Sequence, residues 1–128
     1  MRPFRERAGS PMRGIDADGI GELLDNDDVV YSATQIFDAL SDSTRFQIIG
    51  VLLQGERGVS ELQEVCGVSQ SAISHQLRLL RDRGLVSARR DGQRMIYSLS
   101  DEHVTDLMCI GLAHAAEDAG AEDASELP

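Results

Sequence analysis

The stretch Val65-Cys66-Gly67-Val68-Ser69-Gln70-Ser71-Ala72-Ile73-Ser74-His75-Gln76-Leu77-Arg78-Leu79-Leu80 decides the fold. Gly67 permits the left-handed turn that breaks a short helix over about Val59 to Val65, and Ser69 is placed to cap the helix that follows. In that second helix Ala72, Ile73, Leu77 and Leu80 mark the buried stripe, while Gln70, Ser71, Ser74 and Arg78 fall largely elsewhere. A short helix, a glycine turn and a capped helix with small polar residues on its first turns is the grammar of a helix-turn-helix. Beyond Gly84, residues 85–90 and 94–99 suit strands. Asp91-Gly92 between them signals a hairpin, with Met95, Tyr97 and Leu99 alternating on one face. A helix-turn-helix followed by an arginine-tipped hairpin is a winged helix. The expected fold class is therefore mainly α with a small β part (α+β): a winged helix-turn-helix with a two-stranded wing.

Upstream, Val30, Ile36, Phe37 and Leu40 predict a first helix from Val29 to about Ser41. Ser41 or Asp42 then caps a helix carrying Phe46, Ile49, Leu52 and Leu53, which Gly55 ends. Downstream, Ser100 is read as the cap of a final helix bearing Val104, Leu107, Met108, Gly111, Leu112 and Ala115. Residues 1–28 are rich in Arg, Gly, Asp and Pro without clear apolar periodicity. They are expected to form a mobile arm, within which Met12 is a second candidate start. Residues 29–118 form the expected winged-helix domain, and residues 119–128 an acidic, disordered tail. With 128 residues, no Trp, 2 Tyr and 3 Phe, the chain can build one modest core, made from Leu, Ile and Val. No apolar run is long enough to span a bilayer, and the basic start lacks the apolar stretch of a signal peptide. Cys66 and Cys109 stand far apart with no CxxC spacing, which favours a reducing cytoplasm over a disulfide framework.

The net charge of −10 argues against a nucleic-acid partner until its distribution is read. Residues 1–40 hold 4 Arg against 8 acids, and residues 101–128 hold no Arg against 8 acids. Residues 70–100, by contrast, carry 6 Arg against only Asp82 and Asp91. Basic charge collects where the helix-turn-helix grammar places a DNA-facing surface, and local charge is what phosphates meet. The expected contacts with double-stranded DNA are Ser69, Gln70, Ser71, Ser74, His75 and Arg78, whose side chains suit base edges in the major groove. Arg89, Arg90 and Arg94 of the hairpin are expected on phosphate or in the minor groove. Any one of these arginines alone reads as ordinary solvated surface; the combination does not. His75 is read as partly buried and bonded to backbone, in preference to ligating a metal.

Two of the three histidines stand in the last helix with a carboxylate near each: Asp101 and His103, then His114 and Glu117. Imidazole and carboxylate suit first-row divalent metals, and two of each complete a tetrahedral zinc set. On one helix His103 and His114 lie about 16 Å apart along the axis, too far for a single ion. Two copies packed antiparallel across a two-fold axis bring Asp101 and His103 of one chain beside His114 and Glu117 of the other. That arrangement gives two symmetric sites at a homodimer interface. Taken singly, Asp101 is a favourable charge in a helix first turn, Glu117 a solvated acid, and each histidine an interface polar residue. Cys109, near the midpoint, is expected to approach its symmetry mate, with core packing as its default role. A catalytic zinc centre keeps a position open for water, and four protein ligands leave none, so no enzyme is expected.

Asp42-Ser43-Thr44-Arg45, the run Gly67 to Leu80, Gly84-Leu85-Val86 and Tyr97-Ser98-Leu99 together closely resemble the ArsR/SmtB family of metal-responsive repressors, over about residues 30–118. The most specific part is Ser69-Gln70-Ser71-Ala72-Ile73-Ser74-His75-Gln76-Leu77. The resemblance implies a homodimer in which the first and last helices make most of the interface. It also implies a repressor that binds an inverted repeat of operator DNA when metal-free and lets go on binding its inducer. One type of family site uses cysteines in the helix before the recognition helix. The matching Gly58-Val59-Ser60-Glu61-Leu62 has none, and Cys66 stands where the family usually has a core aliphatic. The other type uses an Asp-x-His, ten residues, His-x-x-His/Glu pattern in the last helix, which Asp101, His103, His114 and Glu117 match. The chain is thus similar to the zinc-sensing branch. Zn(II) is the expected effector, with Co(II), Ni(II) and Cd(II) as competitors for the same atoms and redox sensing through Cys109 or Cys66 as the alternative.

Overall fold

The structure, a computed structural model, describes residues 16–120. Helices α1 (Ala17–Leu24), α2 (Asp27–Leu40) and α3 (Ser43–Leu52) lead into a two-residue strand, β1 (Arg57–Gly58). Then come α4 (Val59–Cys66), α5 (Gln70–Asp82), the strands β2 (Val86–Asp91) and β3 (Arg94–Leu99), and the long α6 (Glu102–Asp118). Each junction that shapes the helix-turn-helix has a local cause. Asp42 caps α3 by accepting the Arg45 N–H at 3.0 Å. Gly67 ends α4 in the left-handed region (φ +66), its N–H donating to the Gln63 carbonyl at 2.9 Å. Ser69 Oγ then accepts the Ala72 N–H at 3.1 Å, satisfying one of the orphan donors at the start of α5.

Ile73, Leu77 and Leu80 of α5 are fully buried, and Ala72 flanks them half-buried. They share one core with Ile48 and Ile49 of α3, Leu62 of α4, Leu85 and Val86 at the start of the hairpin, and Val104 and Met108 of α6. Each such aliphatic side chain removed from water contributes about 1.5–3 kcal/mol, so the core that fixes α5 is the main source of stability. Tyr97, 8% exposed, is the aromatic member.

The hairpin pairs Val86↔Leu99 through Asp91↔Arg94, with Gly92 (φ +66) taking the first place in its two-residue turn. The expected two-stranded wing is present as β2 and β3, and β1 extends it into a three-stranded antiparallel sheet of order β1-β3-β2. The extra strand pairs Arg57↔Tyr97 and Gly58↔Ile96. Ile96, the partner of Gly58, is buried on the face opposite Tyr97.

Two expectations are corrected. The cap of α6 is Asp101, whose Oδ1 accepts the Val104 N–H at 3.3 Å. Ser100 is held by the sheet instead: its N–H donates to the Leu85 carbonyl at 3.1 Å, and its hydroxyl lies 3.4 Å from that of Ser87. Part of the expected arm is helical, since Asp16 caps α1 through the Gly19 N–H and Ile20, Leu23 and Leu24 recur at helical spacing. α2 likewise starts at Asp27, two residues ahead of the expected boundary, because Asn26 accepts the N–H groups of Asp28 and Val29. The rest of the expected arm, residues 1–15, and the tail beyond residue 120 lie outside the described residues. No helix among the described residues is long and apolar enough to cross a membrane.

Candidate nucleic-acid interface and metal centre

With its apolar stripe turned inward, α5 presents Gln70, Ser71, Ser74, His75 and Arg78 as exposed side chains, with Ser69 exposed at its cap. The half-buried reading of His75 is corrected. At about 100° per residue, position 75 lies roughly 200° around the helix from buried Ile73 and so faces out beside Ser71, Ser74 and Arg78. Ser69 Oγ is partly committed, as acceptor for the Ala72 N–H and within 3.3 Å of Ser71 Oγ. The remaining small polar groups are exposed along the first turns of a helix held rigidly from behind, an arrangement suited to reading base edges.

The three hairpin arginines do not act as one set. In an antiparallel pair, alternate residues take opposite faces, so Arg89 and Arg94 share one face and Arg90 takes the other. Arg89 meets Glu56 through two contacts, Nη2 to Oε1 at 2.8 Å and Nε to Oε2 at 3.4 Å. Arg94 Nη2 donates to Glu61 Oε1 at 3.0 Å, the same oxygen that accepts the Gly58 N–H at 2.9 Å. Arg78 and Arg90 have no ion pair among the described residues. Sequence reading overlooked Glu56 and Glu61. The Gly58-to-Glu61 spacing of a helix start was visible, but the pairings join residues 33 apart and exist only in the folded sheet.

The candidate metal ligands occupy the two ends of α6. Asp101 and His103 are exposed at its start, with Asp101 Oδ1 3.5 Å from His103 Nδ1. His114 and Glu117 are exposed near its end. The structure therefore brings Asp101 to His103 but brings neither of them to the second pair. No group of three or more candidate ligands lies together among the described residues. Eleven residues return the helix to within about 20° of the same direction, so the two histidines lie on one stripe. Between them on that stripe are half-buried Leu107 and Ile110, an apolar seam with an imidazole at each end. The donor set fits a divalent ion chemically, with two candidate donors at each end of α6. Cys109 is already 7% exposed in the single chain. That burial agrees with core packing, the default role expected for it. Cys66 is half-buried, and burial pushes its thiol pKa up, away from the reactive thiolate.

A capped recognition-type helix behind a glycine turn, followed by a hairpin wing, makes this chain a winged helix-turn-helix protein. Residues 42–88 match the family described as bacterial regulatory protein, arsR family. The chain is 41% identical over 92 residues to the probable mercury resistance operon repressor of Streptomyces lividans, covering 72% of this chain and 74% of that one. It is 41% identical over 84 residues to the cadmium resistance transcriptional regulatory protein CadC homolog of Staphylococcus aureus, covering 65% and 69%. A homodimeric winged helix-turn-helix DNA-binding domain from Mycobacterium bovis, a possible ArsR-family transcriptional regulator, has a TM-score of 0.68 at 30% identity, over 88% of this chain and 97% of that one. The chain belongs to the arsR family of bacterial regulatory proteins and is a regulator rather than an enzyme.

Proposed function

We propose that this chain is a homodimeric, cytoplasmic repressor that holds an inverted-repeat operator through α5 and the hairpin and releases it when a divalent metal, Zn(II) above others, binds at the ends of α6. The observation that carries the reading is the single stripe of α6 with His103 at one end beside the capping Asp101, His114 and Glu117 at the other, and Leu107 and Ile110 between. An antiparallel partner helix would bury the apolar middle and complete both ends together. Dimer formation through the early helices has its own support. Among the described residues, six of the seven large exposed hydrophobics (Ile20, Leu23, Leu24, Val29, Tyr31 and Phe37) lie on α1 and α2.

Mercury and cadmium, named for the two relatives, favour thiolate ligands. In α4, where a family site of that kind would lie, the sole cysteine is Cys66 at the last position. The imidazole and carboxylate donors of α6 favour Zn(II), with Co(II), Ni(II) and Cd(II) able to compete. A bound ion would supply a fixed link between the two α6 helices. A 100-fold loss of DNA affinity requires only about 2.7 kcal/mol of coupling between the two sites.

The test is a titration of the chain, bound to DNA from upstream of its own gene, with each of the four ions at buffered free concentration. Zn(II) is expected to release the DNA at the lowest concentration. His114→Ala is expected to keep its DNA affinity and lose release by zinc; normal release from that variant removes His114 from the site.

A further inference from the structure

Arg89 and Arg94 would lend the wing most of its positive charge, yet each already faces a carboxylate. Glu56 lies in the loop ahead of β1, and Glu61 lies in the first turn of α4. The four side chains are all about half exposed, at 55% and 50% for Arg89 with Glu56 and 59% and 53% for Arg94 with Glu61. Both acids are set to stay ionised. The Arg89 guanidinium holds the Glu56 carboxyl below its usual range, and the Gly58 N–H, with Arg94 beside it, does so for Glu61. A guanidinium offers a carboxylate the same planar fork that it offers a phosphate. The two acids therefore occupy the donors that DNA would use.

We propose that Glu56 and Glu61 are intramolecular stand-ins for DNA phosphate, which hold Arg89 and Arg94 in the free protein and thereby limit how tightly the wing grips DNA. The inference rests on the DNA-binding reading above. Phosphate gains the full fork of either arginine only by displacing a carboxylate, which is then left as a negative charge next to the duplex. Exposed pairs are weak enough for that exchange, so the effect is graded and does not lock the wing. Arg78 and Arg90, with no ion pair among the described residues, then carry an outsized share of the phosphate contacts.

The test measures binding of the full chain, without added metal, to labelled duplex from upstream of its own gene across a salt series. Glu56→Gln and Glu61→Gln are each expected to tighten binding about 2- to 5-fold. Each should also steepen the plot of log affinity against log salt by up to about 0.9, the increment for one more neutralised phosphate. The gains are expected to vanish in the Arg89→Gln and Arg94→Gln backgrounds respectively, as a double-mutant cycle reads them. Glu64→Gln is the control: Glu64 is exposed on the same helix with no ion pair among the described residues, and both readings should stay near those of the unaltered chain. An equal gain from Glu64→Gln overturns the inference in favour of general surface charge. Unchanged or weaker binding by the Glu56 and Glu61 variants, with thermal unfolding unaltered, overturns it in favour of pairs that merely brace the wing. If the unaltered chain fails to bind the duplex even at low salt, the DNA-binding reading itself falls, a result distinct from the other two.

Discussion

Arg45 joins the start of α3 to Gln76 on α5: its Nη1 donates to Gln76 Oε1 at 3.0 Å while its Nε donates to the Ala39 carbonyl at 2.8 Å. Ala39 lies in the last turn of α2, so one guanidinium spans three helices. A second arginine repeats the connection farther along. Arg83 at the end of α5 donates to the Gln35 carbonyl at 3.0 Å, with Asp38 3.9 Å away. The proposed recognition helix α5 is thus tied, at its middle and at its end, to α2, which carries much of the exposed apolar surface. A shift of α2 against a partner subunit would move α5 with it.

Arg45→Ala is expected to destabilise the protein by about 1.5–3 kcal/mol, the range for hydrogen bonds to a charged group that leave acceptors unpaired. Arg45→Lys should recover only part of this, because an ammonium cannot reproduce the fork that reaches two acceptors in different directions. Urea unfolding at one fixed protein concentration measures both, since dimer stability depends on concentration. Full recovery by lysine would mean that charge alone matters at this position.

Gly67→Ala probes conformation without crowding. A Cβ at this position would meet no atom within 4 Å, yet the backbone has φ +66. The expected cost is about 1–2 kcal/mol from the left-handed conformation alone. Thermal unfolding should register it, with DNA affinity falling only in proportion to unfolding. A neutral result would show that the turn relaxes to another conformation.

The features legible in the sequence were those fixed within a turn of helix. Gly67, the Ser69 cap and the stripe Ile73, Leu77, Leu80 each depend on neighbours three or four residues away, and the structure has all of them. What long-range contacts decide was not legible. Ser100 and Asp101 are equally good caps by residue type, and the choice between them is made by the bond from the Ser100 N–H to the Leu85 carbonyl. β1 is two residues long and leaves no periodicity to detect. The division of the wing arginines into two paired residues and one on the opposite face required the sheet. Two misses were readable: the outward direction of His75 follows from the same period that buries Ile73, and Ile20, Leu23 and Leu24 behind Asp16 carry a helical pattern that the composition of the flanking residues obscured.

Arg78→Ala should weaken binding to operator DNA and lower the slope of log affinity against log salt by about 1 if the side chain meets a phosphate. Should it instead read a guanine edge, the loss would be about 1–3 kcal/mol, confined to particular sequences, with the salt slope less affected. Measuring one specific and one scrambled duplex over the same salt series separates the two. No change in either would remove Arg78 from the interface, despite its exposure beside Ser74 and His75.

Asp101 carries two roles that substitution can divide. Its Oδ1 caps α6 through the Val104 N–H, and the same carboxylate stands 3.5 Å from the His103 ring as a candidate metal ligand. Asparagine is also a good N-cap, so Asp101→Asn should retain nearly all the metal-free stability, while Asp101→Ala should lose about 0.5–2 kcal/mol. Both variants lack the anionic oxygen, and both are expected to bind Zn(II) more weakly. Unfolding measured in chelator reads the cap alone, and zinc affinity measured by chelator competition reads the ligand. If Asp101→Asn keeps full zinc affinity, Asp101 is only a cap and the site depends on His103, His114 and Glu117 without it. Loss of affinity in both variants with stability lost only in alanine would assign the carboxylate to both tasks.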